Sequence, residues 1–249
     1  MKSSLVFALA LGACGLVFNA GAAQDAAHKA HWSYHGDTGP AHWGDLDPSA
    51  AVCKTGARQS PIDLETAKAT KAHTPFTLDY KGGAFEFINN GHSIQANVLQ
   101  KSSTLDLGGL HTLEQFHFHA PSEHTVDGAY FPMELHFVHR DAAGALAVLG
   151  VLIREGKENA TLAEAFKALP QGEKGKQWNI DIAALLPEQK GAFEYTGSLT
   201  TPPCSENVRW IVLHQPIELS KAQIDAFRKL YPDNNRPLQA DNDRPVGKN

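Results

Sequence analysis

The chain has 249 residues, 42% of them hydrophobic and 20% charged, an ordinary composition for one folded domain of this size. Its formal net charge is -5 at pH 7. No block of Lys and Arg occurs anywhere, which argues against a nucleic-acid partner, because phosphate binding needs clustered cations.

Residues 1–23 read as an export signal. Lys2 opens it, residues 5–18 form an apolar stretch interrupted by glycines, and Ala20-Gly21-Ala22-Ala23 offers small residues for cleavage before Gln24. The stretch is too short and Gly-rich for a permanent membrane helix, and no later segment reaches transmembrane length. A soluble periplasmic protein is the expectation. Leu11-Gly12-Ala13-Cys14 resembles a bacterial lipobox, so a lipid anchor on Cys14 is the alternative. Removing the signal leaves Cys53 and Cys204, and in an oxidising compartment an even count favours one disulfide between them.

Residues 24–249 form the expected domain, with no internal repeat, linker or composition break from about Ala30 onward. Alternating apolar residues predict strands over 84–89, 93–100, 104–107, 113–119, 133–140, 146–154 and 209–215. Turns at Asn90-Gly91, Gly108-Gly109 and Ala143-Gly144 punctuate them. Helical periodicity is confined to two stretches. Over 161–169, Leu162, Ala165, Phe166 and Leu169 share a stripe, with Asn159 as a cap; over 220–230, Ser220-Lys221-Ala222-Gln223 is a capping box ahead of Ile224, Phe227 and Leu230. The fold class that follows is mainly β: one domain on a large, twisted, mostly antiparallel central sheet with a few short peripheral helices. No glycine-rich loop suited to a phosphate cofactor follows any strand.

Thirteen histidines are many for this length, and their grouping is informative. On a strand over 113–119, Gln115, His117 and His119 share one face while Phe116 and Phe118 take the other. On the strand over 133–140, Glu134, His136 and Val138 share a face and His139 points away. If the two strands are antiparallel neighbours, His136 completes a three-nitrogen site. Three neutral imidazoles suit zinc and leave a fourth position open for water or substrate. Gln115 and Glu134 are placed to receive the second ring N–H groups. A His-x-His pair also occurs on surfaces and in satisfied cores, so these residues alone leave the site open.

Several separated motifs in order resemble the α-class carbonic anhydrases, most closely their bacterial periplasmic branch. They are Trp32-Ser33-Tyr34, Gln59-Ser60-Pro61-Ile62, Asn89-Asn90-Gly91-His92, Gln115 to His119, Ser122-Glu123-His124, Glu134-Leu135-His136, Ser198-Leu199-Thr200-Thr201-Pro202-Pro203 and Asn234-Asn235-Arg236-Pro237. The resemblance implies reversible hydration of carbon dioxide to bicarbonate by zinc-bound hydroxide. His117, His119 and His136 would bind the zinc, supported by Gln115, Glu134 and the backbone near Asn234. Thr200 would accept a hydrogen bond from the hydroxide and donate one to Glu123. Val138, Val148, Leu199, Val208 and Trp210 would form the apolar wall for the substrate, with Thr200 and Thr201 beside it. His92 would carry the proton out, its free pKa of about 6.5 suiting transfer in both directions. Tyr34, Asn90 and Gln95 would order the intervening water, with Gln95 in place of the asparagine usual in animal enzymes. The resemblance further implies a cis Pro202–Pro203 bond beside Cys204.

Two other readings stand beside this one. His117-x-His119-x-x-x-Glu123 fits part of a cupin pattern with Glu123 as a metal ligand, but the later Pro-x-Gly-x-x-His element is absent. A non-enzymatic zinc-binding protein is the second, and His28, His31, His35 and His42 form either a loose metal cluster or a solvated tail. A homodimer is compatible with the chain, although no residue specifies one.

Overall fold

Alternation of apolar and polar residues builds one large sheet whose two faces bury different chemistry. The computed structural model describes residues 31–71 and 74–249. The expected export signal, Cys14 and His28 lie outside the described residues. In chain order the strands are β1 (Asp63–Leu64), β2 (Thr77–Asp79), β3 (Gly83–Asn89), β4 (Ile94–Val98), β5 (Thr104–Asp106), β6 (Leu110–His119) and β7 (Thr125–Val126). They continue as β8 (Ala129–Tyr130), β9 (Met133–Arg140), β10 (Leu146–Glu155), β11 (Lys176–Ile180), β12 (Ala192–Ser198), β13 (Glu206–Leu219) and β14 (Gly247–Lys248). The α-helices are short: α1 (Trp43–Leu46), α2 (Val52–Thr55), α3 (Ala163–Lys167) and α4 (Lys221–Arg228). No helix among the described residues is long and apolar enough to cross a membrane.

The main sheet runs β11-β3-β4-β6-β9-β10-β13-β12-β14, with β5 joining β2 to β6. Its neighbours are antiparallel except β10 and β13, which run parallel. This is the mainly-β, single-domain architecture the sequence predicts. One face carries the main core, where Phe116, Phe118, Leu135, Phe137, Leu149 and Val151 are buried beneath Phe166 of α3 and Ile224 and Phe227 of α4. Each such phenylalanine stabilises the fold by about 1.5–3 kcal/mol. On the opposite face a smaller apolar cluster contains Ile62, Val148, Tyr195, Val208 and Trp210. The histidines of β6 and β9 therefore stand on a rigid backing.

Several boundaries differ from expectation, for identifiable reasons. β13 extends over 14 residues because it has a partner on each side, β10 and β12. Helix α3 is shorter than 161–169; Asn159 Oδ1 accepts the Leu162 N–H in the turn before it, and Pro170 follows its last apolar residue. Helix α4 begins with the reciprocal capping box at Ser220 and Gln223. Strands β11 and β12 and helices α1 and α2 carry no periodicity strong enough to be read in advance. Gly150 shows why a side chain is excluded in mid-strand: a Cβ there would lie 2.9 Å from Glu134 Oε1.

Candidate metal centre and catalytic cavity

Strands β6 and β9 are antiparallel neighbours, and His117 lies directly opposite His136. The two-residue period puts His119 on the same face as His117. One ring nitrogen from each of the three histidines lies within 4.8 Å of the others. Two of the remaining ring nitrogens are hydrogen-bonded, and the third, His136 Nε2, lies against a carboxylate without meeting hydrogen-bond geometry. His117 Nδ1 donates to Gln115 Oε1 at 2.8 Å, His119 Nδ1 donates to the Asn234 carbonyl at 2.7 Å, and His136 Nε2 lies 2.9 Å from Glu134 Oε1. Gln115, Glu134 and Asn234 thus lie beside the three imidazoles.

At His117 and His119 the electrostatics favour a lone pair over a proton, and at His136 they do not. Burial, with repulsion between the neighbouring imidazoles, holds His117 well below the ordinary histidine range. Burial also lowers His119, against the pull of Glu123. His136 is raised, because Glu134 and Glu123 outweigh its burial. His119 Nε2 is buried with no hydrogen-bond partner, a costly state for a polar atom unless a ligand meets it. A convergent set of three imidazole nitrogens with an orphaned buried lone pair fits zinc. His124, Glu134 and His136 also converge, but Glu134 is already saturated. Its Oε2 accepts the Glu123 and His124 N–H groups at 2.9 Å each, and Oε1 meets His124 Nδ1 at 2.8 Å. Although burial opposes it, attraction to His124 and His136 holds the Glu134 carboxyl well below its usual range.

Sequence reasoning missed this outer network. His124 Nε2 lies 2.7 Å from the Tyr195 hydroxyl, which lies 2.9 Å from Ser60 Oγ. Ser60 N–H donates to Ser198 Oγ at 2.9 Å, so the chain of contacts runs from His136 through Glu134 and His124 to the end of β12. Ser60 and His124 sit inside quoted motifs, which was the available signal; nothing local marks Tyr195.

Beyond β12 the loop carrying Thr200 is braced from several sides. Leu199 N–H donates to Ser205 O, Cys204 N–H donates to Thr201 O, and Cys204 is disulfide-bonded to Cys53. The Pro202–Pro203 bond is cis, as the resemblance implies. Thr200 is buried, but the expected hydrogen bond from Thr200 to Glu123 is not formed. Glu123 Oε1 instead accepts the Arg236 N–H at 2.8 Å. Its Oε2 has no hydrogen-bond partner and is turned toward the imidazoles, 3.6 Å from His119 Nε2 and 3.9 Å from His136 Nδ1. Arg236 is the second unforeseen residue: its buried guanidinium holds Gln59 Oε1, Ser60 O and Cys53 O together.

Val148, Val208 and Trp210 are buried in one cluster against which Val138 and Leu199 pack, as an apolar wall requires. A cavity of about 90 Å³ is lined by Tyr34, Asn90, His92, Gln95, His117, His119 and Thr201, among others. Within it Asn90 and Gln95 bond to each other, Nδ2 to Oε1 at 3.1 Å. Burial, then Glu123 and Tyr231, raises the Tyr34 hydroxyl well above its usual range. His92 also lines the cavity, but its pKa does not match the free value. Burial and then His31 push it down to about 4. His31, His35 and His42 join no three-residue metal group among the described residues.

Comparison with known proteins agrees with this geometry. The family model of the eukaryotic-type carbonic anhydrases matches residues 38–249. A carbonic anhydrase of Pectobacterium carotovorum is 43% identical over 249 residues, covering 98% of each chain. One from Nostoc sp. is 44% identical over 228 residues, covering 88% of this chain and 86% of that one. Among solved structures, the α-carbonic anhydrase of Thermovibrio ammonificans in complex with the inhibitor sulfanilamide superposes with a TM-score of 0.85 at 46% identity. It covers 88% of this chain and 99% of its own.

Proposed function

The chain belongs to the eukaryotic-type carbonic anhydrase family and is a carbonic anhydrase, and from that premise we propose that it hydrates carbon dioxide at a zinc ion held by His117, His119 and His136. The observation that carries this reading is the convergence of three imidazole nitrogens within 4.8 Å, with the second nitrogens of His117 and His119 bonded to Gln115 and Asn234 and that of His136 2.9 Å from Glu134. Bound there, zinc supplies Lewis acidity that makes a water molecule nucleophilic near neutral pH.

The protein's own residues do the rest. Val138, Val148, Leu199, Val208 and Trp210 offer an apolar surface to a substrate without a net dipole, so that binding needs desolvation rather than hydrogen bonds. Thr200 and Thr201 stand beside it on the braced loop, and Thr200 with Glu123 orients the attacking oxygen once the Glu123 carboxylate receives the threonine hydroxyl. Bicarbonate then leaves and a proton must follow. Tyr34, Asn90 and Gln95 hold the water that leads it to His92. In its present position, stacked on Trp32 and His31, His92 is too weak a base to keep that proton near neutrality, so it accepts the proton with its ring swung out of that stack.

Residues 1–23 direct the chain to the periplasm, where the Cys53–Cys204 bridge is stable; anchoring through Cys14 is the alternative. Metal analysis of the purified protein tests the site itself. We expect about one zinc per chain, lost in His119→Ala; a folded protein that takes up no zinc would refute it.

A further inference from the structure

We propose that a second cavity, walled by Arg58, Arg209 and Arg244, binds a small oxyanion apart from the catalytic centre. The cavity measures about 530 Å³, and none of the proposed zinc ligands lines it. Tyr195 and Trp210 also line it, and Trp210 is the one residue it shares with the proposed substrate wall. In a chain of net charge -5, the cavity gathers three arginines against one lining carboxylate, Glu194.

None of the three makes a salt bridge among the described residues, and each is differently prepared. Arg244 is fixed by carbonyl oxygens: Nε donates to Asp241 O, Nη2 to Gln59 O and Ala240 O, and Nη1 to Thr196 O. Its guanidinium also lies 5.7 Å over the Tyr195 ring. These contacts hold the cation in place without neutralising it. Burial lowers its pKa against the pull of Tyr195, Asp241 and Glu206, and repulsion from Arg58 adds to the lowering; a bound anion would offset the burial and the repulsion. Arg209 spends Nη1 on Leu107 O at 3.1 Å and keeps its other donors. Among the described residues the Arg58 guanidinium makes no hydrogen bond, although Glu206 and Arg244 feel its charge.

Two carboxylates share this neighbourhood, and Glu206 attracts both Arg58 and Arg244. Glu206 is held by Gln59 Nε2 and the Arg58 N–H. Glu194 lines the cavity, but its Oε2 accepts the Thr74 N–H and its Oε1 is closed off from solvent. What remains accessible is guanidinium and threonine hydroxyl, the donor set that grips a carboxylate or phosphate in a forked geometry.

The test titrates inorganic phosphate, and in a separate arm acetate, into the full-length zinc-loaded protein by calorimetry. We expect saturable binding of at least one anion, weakened about tenfold or more in Arg58→Gln and Arg209→Gln. Hydration activity should be unchanged in both. Arg58→Gln removes no hydrogen bond of the fold, so it isolates the site even if Arg209→Gln unfolds. Tighter phosphate binding identifies a tetrahedral ligand, and tighter acetate binding a planar carboxylate. Binding of neither anion, or binding to both variants as tightly as to the parent, would overturn the proposal.

Discussion

The imidazole of His92 lies flat against the indole of Trp32, with ring centroids 3.5 Å apart and planes 7° from parallel. His31 stacks on the same imidazole at 4.8 Å and 6°. Burial in this stack, and then the charge of His31, push the His92 pKa to about 4. Near neutrality such a ring holds almost no proton. Trp32→Ala should therefore return the His92 pKa toward about 6.5, with a smaller rise in His31→Ala. Titration of the His92 ring by NMR measures both; a value that stays near 4 without Trp32 would show that the stack is not the cause.

Glu134 serves the metal centre through His136 and serves the fold through His124 and two backbone N–H groups. Replacing it by glutamine removes the negative charge but keeps the volume. We expect Glu134→Gln to weaken zinc binding by about 10–100-fold, the usual effect of losing such a partner. Competition against a chelator reads the change, and an unaltered affinity would remove Glu134 from the support of the metal.

Acid should destabilise the protein through His139, which lies in the main core with Nε2 2.8 Å from the Tyr80 hydroxyl. Burial, helped by His111 and opposed by the Ala147 carbonyl, lowers its pKa to about 3. The unfolded chain binds a proton at this residue below pH about 6.5, whereas the native protein does so only near 3. Stability is therefore intact above about 6.5 and falls progressively toward pH 3, by on the order of 4 kcal/mol. In His139→Gln, proton uptake on unfolding near pH 5 should drop by about one per chain. Denaturant melts across pH 4 to 7 measure this slope, and identical slopes in variant and parent would contradict the assignment.

The metal-facing histidines were legible because strand alternation is local: His-x-His on one strand and a single histidine on the next need only a register, and pairing His117 with His136 supplies it. The capping box of α4 was legible for the same reason. Tyr195, Ser60 and Arg236 were not, since their partners lie 71 to 183 residues away and no sequence period reports such contacts. The departure of His92 from its free pKa was hidden likewise, because it arises from Trp32 and His31 across the cavity mouth. Strands β11 and β12 escaped notice because their partners, not their own patterns, define them.

The central claim is that this chain hydrates carbon dioxide with a metal held by three histidines. Stopped-flow hydration of the zinc-loaded protein, the same protein stripped by a chelator, and the stripped protein with zinc restored tests it most directly. We expect rapid hydration, its loss on stripping and its recovery on restoration. Stoichiometric zinc in a folded protein with no hydration above the uncatalysed rate, or hydration that survives complete removal of the metal, would contradict it.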